Sequence, residues 1–111
     1  MNCYAWQGLV LDAIGRDQWV AVVVPCHRRR EVVDFMALTA ERVTGVEFVR
    51  ANRREQLRFD TGGRVTLHVP SAYGLRGLSP NVVYVEDWHE FTPAQQEGIA
   101  FAANQGELVR A

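Results

Sequence analysis

Two uninterrupted runs of mainly β-branched residues constrain the fold of this chain more than any other feature. The first, WVAVVVP, covers residues 19–25, and the second, NVVYVED, covers residues 81–87. Neither run alternates apolar with polar residues, and such runs are typical of strands buried on both faces of a parallel sheet. Parallel strands need long crossover connections, which are usually helices. The sequence therefore predicts an α/β fold, a three-layer sandwich built on a mainly parallel sheet.

Helical periodicity occupies the segments around these runs. Thr92 and Pro93 suit the N-cap and the first position of a helix. Residues 60–63, Asp-Thr-Gly-Gly, separate two alternating segments and predict a β-hairpin. We predict one helix in each of the segments 3–15, 30–45 and 92–106, where apolar residues recur at three- and four-residue spacing.

Length and composition are those of one globular domain, residues 1–111. The chain is 48% hydrophobic and 23% charged. It contains no apolar run of the roughly 20 residues that cross a bilayer, and its N-terminus lacks the features of a signal peptide. We therefore expect a cytoplasmic protein that does not bind membranes, with Cys3 and Cys26 as free thiols.

The second strand run ends in acidic residues and a histidine, namely Glu86, Asp87, His89 and Glu90. Functional groups gather beyond the C-terminal ends of parallel strands. A strand-end carboxylate can hold Mg²⁺ while its neighbour orients an attacking water. Glu86 and Asp87 are thus a candidate catalytic pair, and Glu86, Asp87 and His89 a candidate metal set. The alternative is a strand end that meets solvent and favours the start of the next helix.

All twelve basic residues are arginines, and the sequence contains no lysine. The first group, Arg28 to Arg30, follows the first strand run and opens a helix, where arginines and backbone N–H groups suit phosphate. Four more arginines, at positions 50, 53, 54 and 58, follow the next strand. Together the two groups predict a stripe for a nucleic-acid backbone. The alternative is a solvated surface whose arginines pair with neighbouring acids.

Residues 57–91, LRFDTGGRVTLHVPSAYGLRGLSPNVVYVEDWHEF, resemble the middle of the ATPase domain of phage terminase large subunits, the motors that package DNA. The pieces that match are the hairpin turn at 60–64, the pair Arg76-Gly77, and the strand with its acids at 82–87. VVVPCHRRR and VEDWH are also similar to the Pro-Thr-Arg motif and the DEAH box in the first lobe of superfamily 2 helicases, with His89 in the His place. The resemblance implies a truncated RecA-like, P-loop NTPase-like fold. The arginine stripe and the resemblance together give the predicted DNA contacts, which are Arg28, Arg29, Arg30, Arg53, Arg54 and Arg76.

The sequence departs from both families at the nucleotide site. They bind triphosphate with a Gly-rich loop that ends in Lys-Ser/Thr, and this sequence has neither the loop nor a lysine. The acid pair is also inverted, because Glu86 takes the place of the metal-binding Asp and Asp87 that of the catalytic Glu. A misplacement of about 1 Å can cost roughly a hundredfold in rate. We therefore expect a degenerate domain that does not hydrolyse ATP alone, with no cofactor, or with Mg²⁺ if the acid pair is functional.

Three functions stay open on the sequence alone. The first is binding, either to DNA or to a protein partner, including a second copy, in a phage DNA-packaging or DNA-processing context. The second is an ATPase or metal-dependent phosphodiesterase half-site that uses Glu86 and Asp87 and is completed by another subunit, with His27 or Asp60 as donors to a second ion. The third is that the sequence is a piece of a longer protein.

Overall fold

A six-stranded mixed sheet forms the centre of the protein. The computed structural model describes residues 1–15, 17–50, 55–70 and 78–110. The strands are β1 (Trp19–Val23), β2 (Val46–Val49), β3 (Gln56–Phe59), β4 (Arg64–His68), β5 (Val82–Val85) and β6 (Glu107–Arg110). They lie in the order β2-β3-β4-β1-β5-β6. The pairs β1–β4, β1–β5 and β5–β6 are parallel, and β2–β3 and β3–β4 are antiparallel.

Three helices cover the two faces of the sheet: α1 (Cys3–Gly15), α2 (Arg29–Arg42) and α3 (Pro93–Ala102). On one face Trp6 of α1 and Met36 of α2 belong to the same buried cluster as Val22 of β1. On the other face Ile99 of α3 shares a buried cluster with Val23 of β1. Strand β1 is therefore buried on both faces, which explains its uninterrupted apolar run. The predicted three-layer α/β sandwich is confirmed.

The predicted hairpin is formed by β3 and β4, and two glycines shape its turn. Gly62 has a φ of 104°, a backbone conformation that L side chains rarely adopt. A Cβ at Gly63 would overlap the carbonyl oxygen of Ala13, near the end of α1. The turn thus lies directly against helix α1, and this close approach requires a residue without a side chain.

The C-terminal part of the chain differs from the sequence prediction. The helix expected over 92–106 ends at Ala102, and strand β6 follows it and pairs in parallel with β5. A four-residue segment is too short for periodicity to separate a strand from a helix end. The start of α3 is as predicted, since Thr92 and Gln95 form a reciprocal capping box.

Two acidic side chains are buried in the described part of the chain, those of Glu55 and Glu86. Cys3 and Cys26 are free thiols, as predicted, and both are exposed. No helix in the described residues is long and apolar enough to cross a membrane. The buried acids matter most, because burying a carboxylate is costly unless it is paired.

Candidate functional site

The ends of β1 and β5 lie side by side at one edge of the sheet. The two strands are parallel neighbours, with Val23 opposite Val85, and Glu86 N donates to Val23 O at 3.0 Å. The segments that follow, residues 24–30 and 86–91, therefore leave the sheet at the same edge. The expectation that the two chemistry-bearing strand ends meet is confirmed.

Glu86 turns toward the N-terminus of the chain. Its Oε1 lies 3.3 Å from the Met1 ammonium, and the same ammonium is 2.9 Å from Glu31 Oε1. Glu86 is buried, and the positive charge at Met1 offsets the cost of burying its carboxylate. The negative charge of Glu86 also contributes to a raised pKa of Tyr84, although burial of the phenol is the main cause.

Asp87 is held by Arg28. The residue has left-handed backbone angles, φ 55° and ψ 47°, at the start of the short 3₁₀ helix Trp88–Glu90. Arg28 Nε lies 2.5 Å from Asp87 Oδ2. Contact with the Asp87 carboxylate raises the pKa of Arg28, and Glu31 adds to the rise. Asp87 is therefore engaged by an internal cation.

His27 and Glu90 complete a cluster around Asp87. His27 lies in the short 3₁₀ helix Cys26–Arg28 that follows β1, and its Nε2 is 2.6 Å from Glu90 Oε2. One ligand atom each from His27, Asp87 and Glu90 fall within 4.8 Å of one another. Of the sequence-predicted metal set, only Asp87 belongs to this group. Glu86 contacts Met1 instead.

An open pocket lies beside the cluster. It is lined by Asp87, Trp88, His89, Glu90 and Arg110. The Arg110 guanidinium stands over the Trp88 ring, 5.3 Å from its centroid. His89 is exposed and is not one of the three clustered ligands. A polar ligand that enters this pocket from solvent would contact Asp87 and Glu90.

Among the described members of the predicted arginine stripe, Arg28 and Arg29 are paired with acids, whereas Arg50 and Arg58 form no ion pair with a described residue. Arg28 pairs with Asp87 and, at 3.4 Å, with Glu31, and Arg29 pairs with buried Glu55. Arg30 forms no ion pair with any described residue. The remaining predicted contacts, Arg53, Arg54 and Arg76, lie outside the described residues.

A chain of hydrogen-bonded side chains lies on the sheet face opposite α1 and α2. Trp19 Nε1 donates to Thr66 Oγ1 at 2.8 Å, and Thr66 Oγ1 is 2.7 Å from His68 Nε2. Arg64 lies over the Trp19 ring, 3.9 Å from its centroid. Burial, and then the positive charge of Arg64, lower the pKa of His68 to about 4. The His68 ring is therefore neutral at pH 7.

Two of these arrangements differ in how far the sequence could predict them. His27 was expected as a donor because it follows a buried strand, and the structure brings it to Glu90. Glu55 was expected only as one of the acids that pair with arginines on a solvated surface, and the structure buries it against Arg29. A pairing of this kind depends on tertiary placement of residues 26 positions apart.

No protein-family model matches the sequence, and neither does any curated protein. Two solved structures of the large terminase from a thermophilic bacteriophage share the fold. The one in complex with ADP has a TM-score of 0.60 at 10% sequence identity and covers 85% of this chain and 25% of the terminase chain. The other has a TM-score of 0.59, with the same identity and coverage. The chain thus spans about a quarter of the terminase, and its fold is terminase-like.

Proposed function

We propose that this chain is a terminase-like domain that acts by binding a protein and does not hydrolyse nucleotide alone. The sequence has no lysine to neutralise a triphosphate. Asp87, at the place of the catalytic acid, is engaged by Arg28, and a carboxylate so engaged is a poor base for an attacking water. The ADP of the phage terminase is therefore not carried over to this chain. Completion of a half-site by another subunit stays a prediction.

An apolar surface on the outside of helices α1 and α2 carries the proposal. A groove of about 440 Å³ runs between the two helices, and the stacked rings of Trp6 and Phe35 line it. Leu11 is 67% exposed on its α1 side. We call this surface the α1–α2 face and define it by Cys3, Leu11, Ile14, Leu38, Arg42 and Val43.

Helix α1 has the composition of a helix that is covered on both sides. Its 13 residues include one acid, Asp12, and no base. Its inner side is buried, and its outer side exposes Leu11 and also Tyr4, which is 81% exposed. Helices that are apolar on all sides are normally buried, and exposed apolar patches mark contact sites. The outer side of α1 is therefore a surface for another protein.

The occupant that fits this surface is a second copy of the same chain. Arg42 is the charged residue among those that line the groove, and the others are mainly apolar. A two-fold pairing of α1–α2 faces directs Leu11 of each copy into the groove of the other copy. One patch thus supplies both the projecting side chain and its recess, as an isologous interface requires.

The size of the face predicts a weak dimer. A helix of 13 residues is about 20 Å long, and two packed helices, each about 10 Å in diameter, are together about 20 Å wide. The pair therefore presents roughly 400 Å² in projection, and more in accessible area because the surface is ridged. Stable interfaces bury about 800 Å² on each partner. We expect reversible association with a dissociation constant on the order of 10 to 100 μM.

Sedimentation equilibrium over a concentration series reaching about 200 μM tests the proposal. We expect the wild type to dimerise and Leu11→Glu to remain monomeric, because a carboxylate would be buried in the groove. Phe101→Glu is the matched control, since Phe101 is 75% exposed on α3 and lies away from the face. A monomeric wild type, or equal association in both variants, contradicts the proposal.

Nucleic-acid binding is a second candidate, favoured by one arrangement on the sheet. Arg58 of β3 and Arg64 of β4 are cross-strand partners, and both are exposed. Directly opposed like charges are destabilising unless compensated. Glu47 of β2, opposite Arg58, offsets one of them. One positive charge is left for a phosphate oxygen.

DNA titration at two salt concentrations tests this second candidate. Binding through one phosphate contact should weaken by about threefold between about 50 and 200 mM salt. Replacing both arginines by glutamine, Arg58→Gln with Arg64→Gln, should remove the binding and its salt dependence. An absence of binding at about 50 mM salt rejects the candidate.

A further inference from the structure

A histidine and two carboxylates converge where β1 and β5 end. His27 follows β1, whereas Asp87 and Glu90 follow β5. The three side chains come from segments far apart in sequence and reach one point because the two strands are parallel neighbours. His27 and Glu90 are exposed and Asp87 is half-buried, so an ion can reach all three from solvent.

We propose that His27, Asp87 and Glu90 bind a divalent transition-metal ion of the Zn²⁺ type. Their ligand atoms lie within 4.8 Å of one another. Zn–N and Zn–O bonds of about 2.0–2.2 Å place tetrahedral ligand atoms roughly 3.4 Å apart. His27 Nε2 and Glu90 Oε2 are now 2.6 Å apart and must separate by about 0.8 Å to reach that spacing. Exposed Glu90 can supply this shift by a side-chain rotation.

The donor set selects the class of ion. Neutral imidazole is a good ligand for Zn²⁺ and its neighbours among the transition metals. Mg²⁺ prefers oxygen ligands and retains several waters. Three protein ligands leave at least one coordination position for water. The site includes neither Glu86 nor His89, so it differs from the acid pair predicted to bind Mg²⁺.

The charges around the site favour a cation. Asp87 and Glu90 each contribute one negative charge to the three proposed ligands. Arg28 beside Asp87 offsets one of these charges, so one net negative charge is left. Arg28 Nε contacts Asp87 Oδ2 and holds that carboxylate in place. Arg28 is thus a positioning residue for Asp87 and does not itself bind the metal.

Calorimetric titration of the full chain with Zn²⁺ tests the site. We expect one bound ion, with affinity reduced about tenfold or more in His27→Gln and in Glu90→Gln. A parallel titration with Mg²⁺ should give no binding at the same concentrations. Retention of wild-type Zn²⁺ affinity in His27→Gln overturns the proposal, as does tighter binding of Mg²⁺ than of Zn²⁺.

Two controls exclude other donors nearby. Cys26→Ser removes the exposed thiol next to His27, and His89→Gln removes the exposed imidazole outside the cluster. Both variants should bind Zn²⁺ as the wild type does, and loss of binding in either one contradicts the assignment. The visible absorption of bound Co²⁺ should report a low-coordinate site with a nitrogen ligand. That spectrum should disappear in His27→Gln while circular dichroism stays unchanged.

Discussion

His68 makes the stability of this domain depend on pH in a window that follows from the structure. Trp19 donates to Thr66 Oγ1, and the same hydroxyl is hydrogen-bonded to His68 Nε2. Burial and then the nearby positive charge of Arg64 disfavour the charged ring and lower the pKa of His68 from 6.5 to about 4. Protonation of His68 is therefore easier in the unfolded chain.

The sign and the size of the effect follow from the two pKa values. The unfolded chain takes up the proton near pH 6.5 and the folded chain only near pH 4. The contribution of His68 to the free energy of unfolding is therefore fully present above about pH 7. It decreases as the pH falls from about 6.5 to about 4, and it changes no further below that range. The two values predict a loss of about 2.4 kcal/mol in the free energy of unfolding between pH 7 and pH 4.5. Such a loss is a large fraction of the stability of a small domain.

Urea unfolding at pH 7 and pH 4.5 measures this contribution. Other groups also titrate, so the quantity of interest is the loss in the wild type minus the loss in His68→Gln. We expect this difference to be about 2.4 kcal/mol. His89→Gln controls for removal of an exposed imidazole and should retain the loss seen in the wild type. A wild-type minus His68→Gln difference below about 0.5 kcal/mol refutes the reasoning.

Three further predictions concern stability. Gly63→Ala should lower the free energy of unfolding by about 2 kcal/mol or more, because its Cβ would overlap a backbone carbonyl of α1. Gly8→Ala lies at an open helical position and should raise the free energy of unfolding by about 1 kcal/mol. Thermal unfolding of the two variants should move in opposite directions. Arg29→Ala should lower the free energy of unfolding by about 3 kcal/mol, since it leaves Glu55 buried and unpaired. Adding Glu55→Gln should recover part of this loss in urea unfolding. If nothing is recovered, an unpaired charge is not the cause of the loss. Thr92→Ala should cost about 1 kcal/mol by removing a helix cap, and an unchanged urea midpoint would show that the cap contributes nothing.

Much of the fold follows from local patterns in the sequence. The runs at 19–25 and 81–87 predicted β1 and β5 because a strand between two helical layers has no solvent side. The hairpin followed from its Gly-Gly turn, and the start of α3 from Thr92 and Pro93. Strand β6 could not be predicted in this way. Its four residues become a strand only because β5 offers an open edge beside them, which is a tertiary condition.

The candidate site was predictable only in outline. The meeting of the two strand ends follows from parallel pairing alone. The identity of the clustered ligands does not, because it depends on how two short 3₁₀ helices turn after the strands. Adjacent Glu86 and Asp87 were expected to act as a pair, and the backbone directs Glu86 to Met1 and Asp87 to Arg28. Sequence adjacency could not show this divergence.

The central claim is that this terminase-like domain acts by binding through the α1–α2 face. Sedimentation equilibrium tests this claim most directly, by comparing the association constant of the wild type with that of Leu11→Glu. The account predicts a reversible wild-type dimer and a folded, monomeric Leu11→Glu. A wild type that stays monomeric at about 200 μM, or a Leu11→Glu variant that dimerises as strongly as the wild type, would contradict it.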